Sequence, residues 1–237
     1  MELILKKRPK NPIIIEGFPG FGLIGTIATE FLIDHLKTEQ IGKITLDELP
    51  PMVAIHESKV VEPMGIFYNK KYNMIILHVI SPVSGIEWKL SKMLSKLAKE
   101  LKAKEVISIE GVGSVNVGTE KPRVFYYANI QKNVKKFSNI GVNPLKEGII
   151  MGVTGTILVS MEKIPLSCIF AETHTELPDS KAAARVIETL DQYLGLKVDT
   201  KPLLKQAEMF ESKIKGILSK SQESKDLQEK KKMSYVG

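Results

Sequence analysis

Pro12-Ile-Ile-Ile-Glu16 runs without a break into Gly17-Phe-Pro-Gly-Phe-Gly22, and an amphipathic stretch follows at once. Consecutive β-branched residues favour a strand, and the glycines permit a tight reversal directly after it. From Leu23 to about Lys37, Ile24, Ile27, Ala28, Phe31 and Leu32 recur at helical spacing. A strand, a glycine turn and a helix in that order open a layered α/β fold.

The alternation continues along the chain. Strands are expected at 41–47, 52–57, 64–69 and 73–80, and the last is nearly continuous in apolar residues, which suits a central strand covered on both faces. Ser84-Gly-Ile-Glu87 has the pattern of a capping box and is expected to open a helix to about Ala103, with Ile86, Leu90, Leu94, Leu97 and Leu101 on one stripe. Val106–Ile109 reads as a buried strand that ends in a glycine turn, Glu110-Gly111-Val112-Gly113. Further strands are expected at Val124–Tyr127 and Leu166–Ala171. Gly148 to Val159, with Gly152 and Gly155, reads as a turn entering a helix. A helix over Ser180–Leu194 would start from Asp179 or Ser180 as its cap. The expected architecture is a sheet, largely parallel, with helices on both faces and a mixed part where the short strands between 41 and 80 fall.

Residues 1–199 are expected to form this one α/β domain. Beyond it, Leu203, Ala207, Phe210, Ile214 and Ile217 are spaced 4, 3, 4 and 3. That heptad seam predicts a helix over 200–218 that docks on a neighbour, and residues 219–237 read as a basic, flexible tail.

No apolar run approaches the roughly 18 residues that span a bilayer, and the N-terminus lacks the order of charges of a signal peptide. The expectation is a cytoplasmic protein. The single cysteine, Cys168, lies in an apolar run and reads as a buried small hydrophobe. The net charge is +7, but the lysines are interspersed with acids and no aromatic residues interleave with basic ones. A basic scaffold on nucleic acid is thus a minor alternative, and it predicts affinity that falls steeply with salt.

Gly20-Phe-Gly22-Leu-Ile-Gly25 matches the spacing that presents a helix N-terminus to a pyrophosphate. Pro19 inside the turn, Phe18 and Phe21 beside it, and no acid at the end of a second strand all count against that use. The structural reading is a close-packed turn that needs Gly17, Pro19, Gly20, Gly22 and Gly25. His35, His56, His78 and His174 form no metal-binding spacing, so no metal is expected. No G-x-S-x-G nucleophile elbow occurs. Glu110 and Glu172, at the ends of neighbouring strands, are the one candidate carboxylate pair. No catalytic residue and no cofactor are assigned.

Three glycine-containing blocks carry a resemblance. They are Gly17-Phe-Pro-Gly-Phe-Gly-Leu-Ile-Gly25 with Glu110-Gly-Val-Gly113; the series Gly148, Gly152, Gly155-Thr-Ile-Leu158; and Ala171-Glu-Thr-His174 with Pro178-Asp179 and Ala182-Ala183. In this order, over about residues 10–195, the chain resembles the type-two proteasome assembly chaperone family in its archaeal branch. The resemblance implies a fold like that of nucleoside phosphorylases, used for protein binding rather than catalysis. It also implies homo-oligomers such as rings of several subunits, and proteasome α subunits or another protein client as partner. Some relatives dock a C-terminal hydrophobic–tyrosine–any tripeptide between proteasome α subunits. Here Tyr235 stands third from the end after Ser234, so the tail departs from that pattern. The alternative is an enzyme of the nucleoside phosphorylase or hydrolase type that holds phosphate at Gly20–Gly25.

Overall fold

A computed structural model of the chain describes residues 2–46, 54–56, 58–113, 121–173, 177–202 and 204–205. The seam residues Leu203, Ala207, Phe210, Ile214 and Ile217, the tail with Tyr235, and His174 lie outside the described residues. Residues Met1–Thr200 form one compact unit.

Eleven strands and five α-helices follow one another in this unit. They are β1 (Glu2–Leu5), β2 (Ile13–Gly17), α1 (Ile24–His35), β3 (Glu39–Thr45), β4 (Ala54–His56), β5 (Lys59–Val61), β6 (Met64–Asn69), β7 (Met74–Val79) and α2 (Glu87–Glu100). Then come β8 (Glu105–Gly113), β9 (Val124–Ala128), α3 (Gln131–Asn139), β10 (Asn143–Pro144), α4 (Gly152–Ser160), β11 (Leu166–Thr173) and α5 (Ser180–Leu194). Nine strands make one sheet in the order β1-β3-β6-β7-β2-β8-β11-β9-β10, and β4 with β5 makes a separate ribbon.

The four central strands β7, β2, β8 and β11 are parallel. Outside them β1, β3 and β6 pair antiparallel, β6 runs antiparallel to β7, and β9 runs antiparallel to β11. The sheet is therefore half antiparallel rather than largely parallel. At β6 and β7 the reason is local: their short connection admits a hairpin-like return, whereas parallel neighbours need a crossover helix. The rim at β10 is a two-residue strand that ends in Pro144.

Helices cover both faces. α2 and α4 lie on one, where Leu90, Leu94, Leu97 and Ile157 pack on Ile14, Ile75 and Leu77. α1 and α5 lie on the other, with Ala28, Leu32, Ala182, Ala183, Val186 and Leu190 buried against it. Burial on both sides is why the central strands read as unbroken apolar runs. Each buried leucine contributes roughly 2 kcal/mol toward the entropic cost of ordering the chain.

Three local expectations are corrected. Ser84 does not cap α2: the helix starts at Glu87, and the residue before it, Ile86, provides no side-chain cap, because Gly85 takes a positive φ of 86° and turns the chain first. Glu110–Gly113 is not a turn. β8 continues through Gly113, held in register by β11 as far as Thr173. α3 and β1 also exist, where no element was expected. Asp179, by contrast, is the cap of α5, its Oδ1 accepting the Ala182 N–H at 2.9 Å.

The outer part of the α5 face is held by a buried polar knot. Glu105 accepts hydrogen bonds from Ser167 Oγ at 2.5 Å, Asn133 Nδ2 at 2.8 Å and Tyr193 Oη at 2.9 Å. Burial pushes the Glu105 pKa up, and the Ser167 and Tyr193 donors pull it back. Above the knot Tyr126, Phe137 and Tyr193 stack, with centroids 4.7 and 4.1 Å apart, so α3 is clamped between β9 and α5. Tyr193→Ala is expected to lower stability by about 4 kcal/mol through the cavity and the lost donor, and Tyr193→Phe by about 1 kcal/mol. Urea unfolding of the two variants beside the parent chain measures both.

Candidate functional site: the carboxyl rim of the central strands

Because β7, β2, β8 and β11 are parallel, their carboxyl ends meet at one rim. The glycine turn that leaves β2 lies there with the start of α4. Ligand sites of open α/β sheets collect at this place.

The glycine turn after β2 is packed rather than open. Gly17 lies so close to Gly25 that a methyl group would overlap the Gly25 carbonyl oxygen. A methyl at Gly111 would overlap the Phe21 carbonyl oxygen in the same way. Gly22 has a φ of 67°. Its carbonyl oxygen accepts the Asp179 N–H at 2.8 Å, while Thr173 donates to Asp179 Oδ2 at 2.8 Å. One aspartate thus ties the turn to β11 and caps α5.

Beneath the turn sits Glu110. Its Oε1 occupies the space a side chain at Gly20 would need. Oε1 accepts the Gly111 N–H at 3.0 Å and Oε2 accepts the Thr154 hydroxyl at 3.0 Å. Burial raises the Glu110 pKa to about 7, against the pull of the Gly111 amide, the Thr154 hydroxyl and the Phe21 amide. A carboxylate at this place repels a phosphate, so the arrangement argues against the phosphate-cradle reading of Gly20–Gly25.

Glu16 of β2 points to the same face. In the ladder it lies opposite Ser108, two residues before Glu110 on β8. It is fully buried, and neither carboxyl oxygen has a hydrogen-bond partner among the described residues. The Ser108 hydroxyl is engaged by Thr154 at 3.0 Å. Burial pushes the Glu16 pKa up to about 8 against the pull of the nearby Ser108 hydroxyl and Phe18 amide, neither of which forms a well-shaped hydrogen bond to it, and the charge of Glu110 adds to the rise. Cys168 of β11 faces the same pair, and burial first, then the two carboxyl groups, push its thiol up.

The expected pair of Glu110 and Glu172 does not form an acid–base couple. Glu172 is taken by Arg123, whose Nε and Nη2 reach its two oxygens at 2.7 and 2.5 Å. The carboxyl group that shares a site with Glu110 is Glu16, which the sequence reading passed over. Its one signal was an acid ending a run of isoleucines. Among the described residues no group of three or more metal-ligating side chains comes together. His78 Nδ1 lies 2.9 Å from Thr29 Oγ1 on the α1 face, and burial lowers its pKa to about 4.

Among the described residues, exposed apolar side chains stand at this end beside the exposed charged groups of Arg123, Lys146 and Glu147. Phe21 of the glycine turn is 39% exposed, Leu177 before α5 is 41%, and Ile149 and Met151 before α4 are 91% and 78%. Beside them a cleft of about 560 Å³ opens between the ends of β8 and β11 and residues 143–149, with Val112, Phe125, Leu145 and Ile149 on its walls.

The model of the PAC2 family matches residues 14–218. The chain belongs to the PAC2 family. Its fold matches PbaA of Pyrococcus furiosus, an archaeal homolog of proteasome-assembly chaperone, at a TM-score of 0.81 and 32% identity, over 94% of this chain and 99% of that one. PbaB of the same organism, an archaeal proteasome activator, matches at a TM-score of 0.74 and 22% identity over 91% and 98% of the chains, a likeness of fold. An uncharacterized protein of Methanocaldococcus jannaschii is 28% identical over 211 residues, 88% of this chain and 86% of its own.

In this PAC2 protein the glycine blocks divide by role. Gly17, Gly20, Gly25, Gly111 and Gly155 allow close approach, and Gly22 and Gly152 supply positive φ. Gly113 and Gly148 meet neither need among the described residues. Pro19 sits in the turn between Gly17 and Gly20. No described helix is long and apolar enough to cross a membrane.

Proposed function

We propose that this PAC2 protein is a non-enzymatic assembly chaperone or scaffold. It acts in the cytoplasm on proteasome core-particle subunits, or on a related client, from a homo-oligomeric platform. The domain 1–199 supplies the platform, and the helix 200–218 with the tail 219–237 reaches the client.

One observation carries the reading. Among the described residues at this rim, Glu110, Asp179 and Glu172 are turned inward or paired, and Phe21, Ile149, Met151 and Leu177 stand exposed. Contiguous exposed apolar side chains on rigid segments suit a protein partner. The likeness to PbaA, an archaeal homolog of proteasome-assembly chaperone, supports the choice of client.

The test is light scattering after size exclusion, for the chain alone and mixed with proteasome α subunits of the same source. A closed homo-oligomer that co-elutes with α subunits is the expected result. A monomer that ignores them overturns the reading. In the same assay Phe21→Ser with Met151→Ser is expected to weaken association at least tenfold, with the melting temperature within a few degrees of the parent. Both side chains are solvent-facing, so their loss removes little core.

A further inference from the structure

Glu16 is the one fully buried carboxyl group of this protein that lacks a hydrogen-bond partner among the described residues. An ionised carboxylate in that position costs several kcal/mol, so Glu16 is held neutral. Glu110, at the rim, receives the Gly111 N–H and the Thr154 hydroxyl and is built to carry charge. The two lie on adjacent strands, on one face, under one turn.

The surroundings hold no counter-charge among the described residues. β7 places Leu77 opposite Glu16. β8 brings Ser108 and Glu110, and β11 brings Cys168 and Phe170. α4 brings Thr154 and Ile157, and α2 brings Leu90 and Leu94. The other titratable group here is the Cys168 thiol, itself held protonated by burial and by the two acids.

We propose that Glu16 and Glu110 carry a single negative charge between them, and that gaining the second charge loosens the glycine turn and withdraws the apolar rim from its partner. Two carboxylates in one dry site cannot both ionise without separating or admitting water. Glu16 is fixed in mid-sheet, so the movable partner is Glu110 with what rests on it: Gly20 and Phe21 above, Thr154 and the first turn of α4 beside it. Those segments carry Phe21 and Met151. The first charge falls on Glu110, raised to about 7, and the second on Glu16, raised to about 8, so the transition is centred near pH 8. The effect on association rests on the rim being the partner-binding surface; the loosening itself does not.

Amide hydrogen exchange of the full chain from pH 6 to 9, corrected for the intrinsic pH dependence of exchange, tests the switch. Protection of residues 17–25 and 151–155 is expected to drop at least tenfold as pH rises from 7 to 9, while β7 amides keep theirs. In Glu16→Gln the drop is abolished, because the second charge cannot form. Glu16→Met, apolar and of similar length, gives the same result should the buried amide impair folding. Unchanged protection in the parent chain, or an equal drop in both variants, overturns the proposal. Light scattering at pH 6.5 and 8.5 separates the two readings. Loosening with unchanged association sustains the switch and overturns the rim as the binding surface.

Discussion

Gly17→Ala is expected to cost about 3 kcal/mol or more and to leave little folded protein at 37 °C. The added methyl would overlap the Gly25 carbonyl oxygen and crowd Thr29 Cγ2 at 2.8 Å. Neither obstacle is the free end of a flexible chain. The Gly25 oxygen is backbone in the first turn of α1 and also accepts the Thr29 hydroxyl at 2.8 Å. Relief requires α1 to move off β2, and overpacking of a rigid site typically costs 1–3 kcal/mol before such movement begins. Gly148→Ala is the control. Its methyl would meet Leu145 Cδ2 at an ordinary 3.4 Å, and the change is expected within about 0.5 kcal/mol of the parent. Chemical unfolding of the pair measures the difference. Equal stability of the two variants would show that the β2–α1 approach is not rigid.

Stability is expected to fall as pH rises from 4.5 to 8, the reverse of the profile set by ion-paired acids. Glu16, raised to about 8, and Glu110, raised to about 7, each favour folding fully below the unfolded carboxyl pKa. That contribution is lost as pH rises through those folded values. His78 works in the opposite sense. Its pKa falls from 6.5 to about 4, so its contribution is present above 6.5 and lost as pH drops through 4, about 3 kcal/mol in all. The two acids together outweigh His78 between pH 4.5 and 6.5, so the expected maximum of melting temperature lies near pH 4.5. Glu16→Gln is expected to raise the melting temperature at pH 8 by several degrees and to flatten the alkaline limb. His78→Leu removes the opposing contribution gained between pH 4 and 6.5. Thermal unfolding followed by circular dichroism from pH 4 to 9 resolves both limbs, and a profile rising monotonically to pH 8 would contradict the assignment of buried acids.

The elements that sequence patterning located are those whose signal is local. α5 carries an apolar stripe and an aspartate cap, and both stand where the chain places them. Ser84 carries a capping pattern too, yet Gly85 bends the chain before a helix can take it up. α3 went unseen because its nine residues bury only Asn133 and Phe137, too few for a period to emerge. β1 is a four-residue strand whose partner, β3, lies beyond a strand and a helix in sequence. The site was less legible than the fold for the same reason. Arg123 and Glu172 are 49 residues apart, and Glu16 meets Glu110 only through the register of β2 on β8. A glycine motif announces a tight place, but not whether a ligand or the protein's own carboxylate fills it. Here Glu110 fills it.

The sheet's own margin limits how copies of such a chain can come together. Its β10 rim offers two residues of strand, and Pro144 has no amide hydrogen to give. An incoming strand finds no ladder there to extend, so runaway fibre growth through that side is blocked.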